Sequence, residues 1–288
     1  MQRRSLPAIL ELDQIDPWRF RTVEVTETGM RTFGGSFAGQ AIIAAGRTVS
    51  PERRIHSAHA HFLRPGDSSR PVTYLVEPIR DGGSYSTRRV EARQGDTVTF
   101  HLVASFHAGD DTDLAFQAHQ VRVPTPVGDS VIEAPSADEE LRTWARRLTA
   151  WLGMDLHFPE PPARSHAAAS TSTSRQSIWL RSTDGLPDDP LLHAAALAHG
   201  SDLLLLSTAL APHGRSFSDG DLDFASLDHT IWFHHPIRAD EWFLHDMQAI
   251  WTGHGRALTN GALFDQQGTM VASTAQEGMI RPRSTTTT

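Results

Sequence analysis

The sequence contains no cysteine. Disulfides, thiolate nucleophiles and cysteine-based metal sites are therefore excluded, and the composition suits a reducing, cytoplasmic compartment. Lysine is absent too, so all 26 fixed basic side chains are arginine. That excludes Schiff-base chemistry on lysine, and with it most pyridoxal phosphate reactions, as well as a Walker A phosphate loop. Positive charge is in deficit, and a net charge of −8 argues against general nucleic-acid binding. No uninterrupted apolar run reaches the roughly 20 residues of a membrane span. The longest candidate, LLHAAALAHGSDLLLL over 191–206, is broken by His, Gly, Ser and Asp. The opening MQRRSLPAILELDQI has an apolar patch that ELD ends too early for a secretory signal. No GxSxG elbow and no GxGxxG after a strand occur, so a serine-hydrolase mechanism and a dinucleotide site are both unsupported.

What is present is a chain of 288 residues, enough for one large domain or two ordinary ones. SFAGQAIIAAGRTV (36–49) is small and apolar at helical spacing, with Gly34, Gly35 and Gly39 near its start, where close backbone approach is expected. Strand-like runs follow at 56–65, 72–81, 84–94 and 97–107, separated by PGDSSRP, DGG and QGD. A helix is expected after Ser136, which stands in capping-box spacing with Glu139. Its stripe Leu141, Trp144, Leu148 and Trp151 should pack on the core. Residues 165–174, rich in Ser, Thr and Ala, read as a linker.

The last third repeats the first. A strand at 177–182 leads into a long helix over 190–210, followed by strands at 226–236, 241–253, 256–268 and 269–280. HFLRP matches WFHHP, DGGSYSTRRV matches GHGRALTNGA, and VASFHAG matches VASTAQEG. Repetition of helix-then-meander predicts an α+β fold in which each sheet curls around its own helix. Two such units can join edge to edge into one sheet, which hides their edges. The divisions are 1–110 (first repeat), 111–176 (linker with one helix), 177–282 (second repeat) and 283–288 (polar tail).

Within the second long helix, Asp202 stands in GSDLLLL, an apolar setting that penalises an unpartnered carboxylate. Two readings are open from the residues alone: a helix break with Asp202 as a cap, or a functional acid held by partners elsewhere. The histidines His56, His59, His61, His234 and His235 offer paired imidazoles, but no HExxH and no matching carboxylate spacing accompany them, so no metal site is assigned. Arg80, Arg88 and Arg89 are read as solvated surface residues in preference to phosphate ligands.

FGGSFAGQAI, HSAHAHFLRPGD, RDGGSYSTRRV, VASFH, LAHGSDLLLL, SLDHTIWFHHP and VASTAQEG, in this order, resemble the acyl-CoA thioesterase II (TesB-like) family of double hotdog proteins. The resemblance covers nearly the whole chain outside the linker. It implies hydrolysis of medium- to long-chain acyl-CoA to a free acid and CoA, without metal, cofactor or covalent acyl-enzyme. It also implies Asp202, Ser226 and Gln276 as the catalytic group that holds a water, and a homodimer or homotetramer. Ser226 stands where the family has Thr; the hydroxyl is kept, but the methyl that stiffens the rotamer is lost. The first repeat has no acid matching Asp202, and Gln40 is the strong polar group of its helix, so that repeat is expected to be structural. Two rivals are a hydratase on the same fold and a non-catalytic acyl-CoA binder. LLLLSTAL after Asp202 does not suit a hydratase loop, and a pure binder has no need of a buried acid.

Overall fold

The computed structural model describes residues 3–26, 30–109, 114–118, 126, 130, 132–133, 137–162, 173–216 and 219–283. Along the chain run α1 (Leu6–Leu10), β1 (Leu12–Asp16), β2 (Arg19–Thr22), α2 (Gly34–Gly46), β3 (Arg54–Phe62), β4 (Thr73–Asp81), β5 (Tyr85–Gln94) and β6 (Thr97–His107). After them come α3 (Glu139–Leu152), β7 (Met154–His157), β8 (Arg175–Ser182), α4 (Pro190–Ser201) and α5 (Leu205–Thr208). The last strands are β9 (Leu222–Ser226), β10 (Asp228–Phe233), β11 (Phe243–Gly253), β12 (Arg256–Phe264) and β13 (Met270–Pro282).

Both units are helix-then-meander, as the repeat predicts. Strand alternation buries one face: in β5, Ser86, Arg88, Val90 and Ala92 are buried while their neighbours are less so. The QGD turn between β5 and β6 places Gly95 at φ 60°, a backbone that favours glycine. Among the described residues, all strands form one 13-stranded sheet. Its two halves join where β3 pairs antiparallel with β10, from Asp228↔His61 to Trp232↔Ser57. That pairing removes one free edge from each unit. The fold is a double hotdog, with α2 and α4 covered by the curved sheet.

The two central helices lie against each other. A Cβ on Gly35 would stand 2.1 Å from the His199 carbonyl oxygen, and one on Gly39 would stand 2.8 Å from that of Ala195. Two glycines one helical turn apart thus let α2 approach the backbone of α4 directly. Around this contact Ala38, Ala41, Ile42, Ala195, Ala196 and Leu197 are fully or almost fully buried.

Several sequence expectations need correction. The helix expected over 190–210 is broken: α4 ends at Ser201, Asp202 is its C-cap, and Leu204 adopts φ 64° before α5 begins. Asp202 does not cap the second segment, whose N-cap is Leu204 with no side-chain bond. The helix within 111–176 is capped two residues beyond the expected Ser136. Asp138 is its N-cap and accepts from the Glu140 N–H, so the capping box fails; Ser136 itself lies outside the described residues. The strand expected over 226–236 is divided at Leu227. Strands β1, β2 and β7 are additional to the expected set. Most of the linker over 165–174 also lies outside the described residues.

The helical stretch Pro190–His213 is long and apolar enough, by length and composition, to cross a membrane, contrary to the reading of its interruptions. However, 83% of its apolar window is buried within the fold, as for a core helix.

The glycine contact gives a direct prediction. Gly35→Ala forces α2 and α4 apart and destabilises the protein by about 1–3 kcal/mol, the usual scale of overpacking. Chemical denaturation measures it, and an unchanged midpoint contradicts the close approach.

Candidate active site

Asp202 stands where α4 ends, and its position follows from the break just described. Leu204 carries a left-handed backbone that a leucine adopts only at a cost. The turn over 202–204 points the chain, and the Asp202 carboxylate with it, at the start of α2. A Cβ on Gly34 would be 2.6 Å from Asp202 Oδ2 and 2.8 Å from the Phe62 ring. A side chain at position 34 would therefore displace the acid. Helix α2 has Phe33 at its N-cap with no side-chain cap, so its first N–H groups are not occupied by a capping side chain.

The other carboxylate oxygen is held from β13. Gln276 Nε2 donates to Asp202 Oδ1 at 2.5 Å. Gln276 is fully buried, on the inward face of β13 with Thr274 and Gly278. Ser226 enters from β9, where it is paired with Gly278, two residues from Gln276. The break after Ser226 is held by backbone and side chain together. Leu227 N–H donates to the Glu277 carbonyl at 2.9 Å, and Asp228 Oδ1 accepts from the Glu277 N–H at 2.7 Å.

Asp202 and Ser226 line one cavity of about 380 Å³, within the range of small-molecule sites. Its walls include Phe33, Phe37, Phe62, Trp144, Leu148 and Trp151. The α3 stripe thus packs on the core, as expected, and three of its members also face this cavity. The three residues singled out from the sequence are therefore brought to one place: Asp202 and Ser226 on the cavity wall, Gln276 directly behind Asp202.

Other candidates fall elsewhere. His56 bonds Ser105 Oγ at 2.8 Å and His59 lies 3.4 Å from Thr230 Oγ1; neither lines the cavity. Arg88 is not a surface arginine. It is 2% exposed, donates to Asp81 and to the Thr48 carbonyl, and braces β5 against the end of α2. Arg89 pairs with Glu77. In the first repeat, Gln40 donates to the Ile9 carbonyl and accepts from Tyr74 Oη, both at 2.5 Å, which makes it a structural bridge.

Sequence reasoning missed two groups. Arg31, Arg64 and Arg215 line the cavity, but isolated arginines carry no pattern. The second group is three buried imidazoles, His199, His229 and His245. Here a signal existed: His229 alternates with Ile231, and His245 with Phe243 and Met247, at the period of an inward strand face. Burial holds His199 down to about 4 and His245 to about 3, and it also lowers His229.

Comparison with known proteins agrees with this architecture. A family model described as "Acyl-CoA thioesterase" matches residues 156–279, and one described as "Acyl-CoA thioesterase N-terminal domain" matches residues 22–107. The chain is 33% identical to "Acyl-coenzyme A thioesterase 8" of Rattus norvegicus over 287 residues, covering 96% of this chain and 88% of the relative. It is 32% identical to "Acyl-CoA thioesterase 2" of Haemophilus influenzae over 294 residues, covering 96% and 97%. The crystal structure of an acyl-CoA thioesterase II, TesB2, from Mycobacterium marinum superimposes with a TM-score of 0.77 at 36% identity, covering 98% of this chain and 99% of that one.

The buried imidazoles set how stability responds to acid. Each is lowered when folded, so the unfolded chain takes up protons first as pH falls below about 6.5. Their contribution is intact above that pH and is lost progressively as pH falls, down to about 4 for His199 and about 3 for His245. Over that window the slope is up to about 1.4 kcal/mol per pH unit per histidine. Denaturation at pH 7 and pH 5 checks this. His245→Phe flattens the dependence, and an unchanged slope contradicts the assignment.

Proposed function

This chain belongs to the acyl-CoA thioesterase family, and from that premise we propose that Asp202, Ser226 and Gln276 orient and activate the water that cleaves the thioester. As an acyl-CoA thioesterase, the protein converts acyl-CoA and water to a free acid and CoA. The observation that carries the site assignment is the Gln276–Asp202 hydrogen bond beside the start of α2.

Gln276 holds Oδ1 of Asp202, which leaves Oδ2 turned toward Gly34. A water between Oδ2 and the Ser226 hydroxyl is oriented by both and loses a proton to the carboxylate as it attacks the carbonyl carbon. The carbonyl oxygen then gains negative charge. The N–H groups at the start of α2, with the positive end of the helix dipole behind them, are the donors in reach for that oxyanion. When the C–S bond breaks, the proton on Asp202 is available to the departing sulfur, so CoA leaves as the thiol. Every group sits on a strand or a helix end, which limits reorganisation during the reaction.

The acyl chain occupies the aromatic cavity, with Trp144, Leu148 and Trp151 of α3 forming one wall. Its apolar walls favour medium- to long-chain acyl groups. Arg31 and Arg64 supply positive charge for CoA phosphates, while Arg215 on the same wall is paired with Asp219 and Asp221. The reading extends to a homodimer or homotetramer, supported by the exposed Trp18, Trp232, Ile250 and Trp251. It also adopts a cytoplasmic setting, which a cysteine-free chain suits.

Thiol release across acyl-CoA chain lengths tests the proposal. Asp202→Asn should lower kcat by about 10²-fold or more, with the thermal transition retained. Ser226→Thr should match or exceed the parent. Trp144→Ala should move the optimum toward longer chains. Full turnover by Asp202→Asn, or collapse of Ser226→Thr, contradicts the assignment.

A further inference from the structure

Behind Gln276 lies a hydrogen-bonded sequence that the hydrolysis above does not use. His229, on β10, is 1% exposed, and Ser201, the last residue of α4, is completely buried. Ser201 Oγ donates to the Ala198 carbonyl at 3.0 Å, and His229 Nε2 lies 3.0 Å from the same hydroxyl. A serine hydroxyl has one proton. Since it is given to Ala198, the bond to the imidazole requires His229 Nε2 to donate. The ring proton is thereby assigned to Nε2, and Nδ1 presents a lone pair.

That lone pair faces the catalytic amide. Gln276 Nε2 is 3.4 Å from His229 Nδ1 and 2.5 Å from Asp202 Oδ1. An amide nitrogen carries two protons, so one can be directed to each acceptor. Rotated by half a turn, the amide would set its oxygen against a carboxylate and a lone pair at once. The Asp202 contact alone disfavours that arrangement; the imidazole makes the discrimination twofold. Without a partner, one N–H of a fully buried amide would also go unsatisfied, at a cost of about 1–3 kcal/mol.

We propose that His229 is a positioning residue for thioester hydrolysis: its neutral imidazole, fixed in the Nε2–H form by Ser201, locks the Gln276 amide with its N–H groups toward Asp202. This rests on the reading of Asp202 and Gln276 given above. The neutral state is required, because an imidazolium would place an N–H against an N–H. Burial favours it, while Asp202 on the end of α4 and the neighbouring Asp228 pull the other way. His245 faces His229 from β11 and is itself held to about 3. Space for that second ring is also specific: a Cβ on Gly261 would stand 2.2 Å from His245 Nε2. His245 in turn contacts Thr274 Oγ1 at 3.3 Å, on the same face of β13 as Gln276.

Two measurements test the role together. In the intact protein labelled with ¹⁵N-histidine, His229 should appear as a neutral Nε2–H imidazole throughout the pH range of activity. An imidazolium, or a ring protonated on Nδ1, overturns the proposal. In kinetics, His229→Leu should lower kcat by about 10²-fold, the scale of a misplaced catalytic group, with KM little changed. His229→Asn, whose carbonyl can replace the Nδ1 acceptor, should recover most of that loss. Equal kcat for His229→Leu and the parent overturns the proposal, as does an Asn variant no better than Leu, or a loss confined to KM. If the Leu variant does not fold, the labelled spectrum of the parent decides. Full turnover by Asp202→Asn and Gln276→Ala would instead remove the underlying site reading. With those two inactive and His229→Leu fully active, only the positioning role is lost.

Discussion

The backbone contact between the two central helices governs the rest of this structure. Gly35 and Gly39 allow α2 to approach the His199 and Ala195 carbonyls of α4 with no side chain between. A larger residue at either place would separate the helices, and with them the two repeats. Three consequences follow. The start of α2 is carried to the end of α4, so Gly34 meets Asp202. The sheets curl far enough around the pair for β3 and β10 to join. The Asp202 carboxylate of the second repeat is thereby met by the helix start of the first. The first repeat lacks an acid of its own, yet its helix supplies one wall of the site.

The interior of the second repeat is unusual for how many polar groups it accommodates. Thr259, Thr274, His229, His245, Ser201 and Gln276 are all at most 3% exposed. Buried polar groups are tolerated when they bond one another and costly when they do not. Here Ser201, His229 and Gln276 form connected bonds that end at Asp202, Thr259 donates to the Gln276 carbonyl, and His245 with Thr274 forms a separate pair on the same face. The exceptions are informative: Gln276 Oε1 and His245 Nδ1 are buried without a protein partner. The network is therefore not fully satisfied, in keeping with functional sites that retain strain while the surrounding core supplies stability.

Much of the fold was legible because the information is periodic. The meanders alternate every second residue, and the repeat brings the same order twice. The small residues of 34–46 and Gly35 with Gly39 announced close packing correctly. The helix break at Asp202 was partly legible from Gly200 and Ser201, but its exact form was not. It turns on Leu204 in a left-handed conformation, and nothing local in LLLL marks one leucine from the next. β1, β2 and β7, of four or five residues each, are too short to show a period. Arg88 misled because an arginine on a strand reads as exposed; its burial depends on Asp81 and the Thr48 carbonyl arriving from elsewhere. At the site, Asp202, Ser226 and Gln276 came from motif resemblance, since residues 24 and 74 positions away from an acid show no local pattern. Their meeting depends on β-sheet register, which only the folded chain displays.

In the mechanism proposed above, water attacks the thioester directly beside Asp202, with no acyl-enzyme. A single turnover with enzyme in excess, run in H₂¹⁸O, tests it most directly. Direct attack predicts one ¹⁸O in the released acid from the first turnover and an unlabelled Asp202. An unlabelled acid, with ¹⁸O recovered in the Asp202 carboxylate by peptide mass analysis, would show that Asp202 had acted as a nucleophile and would contradict the account.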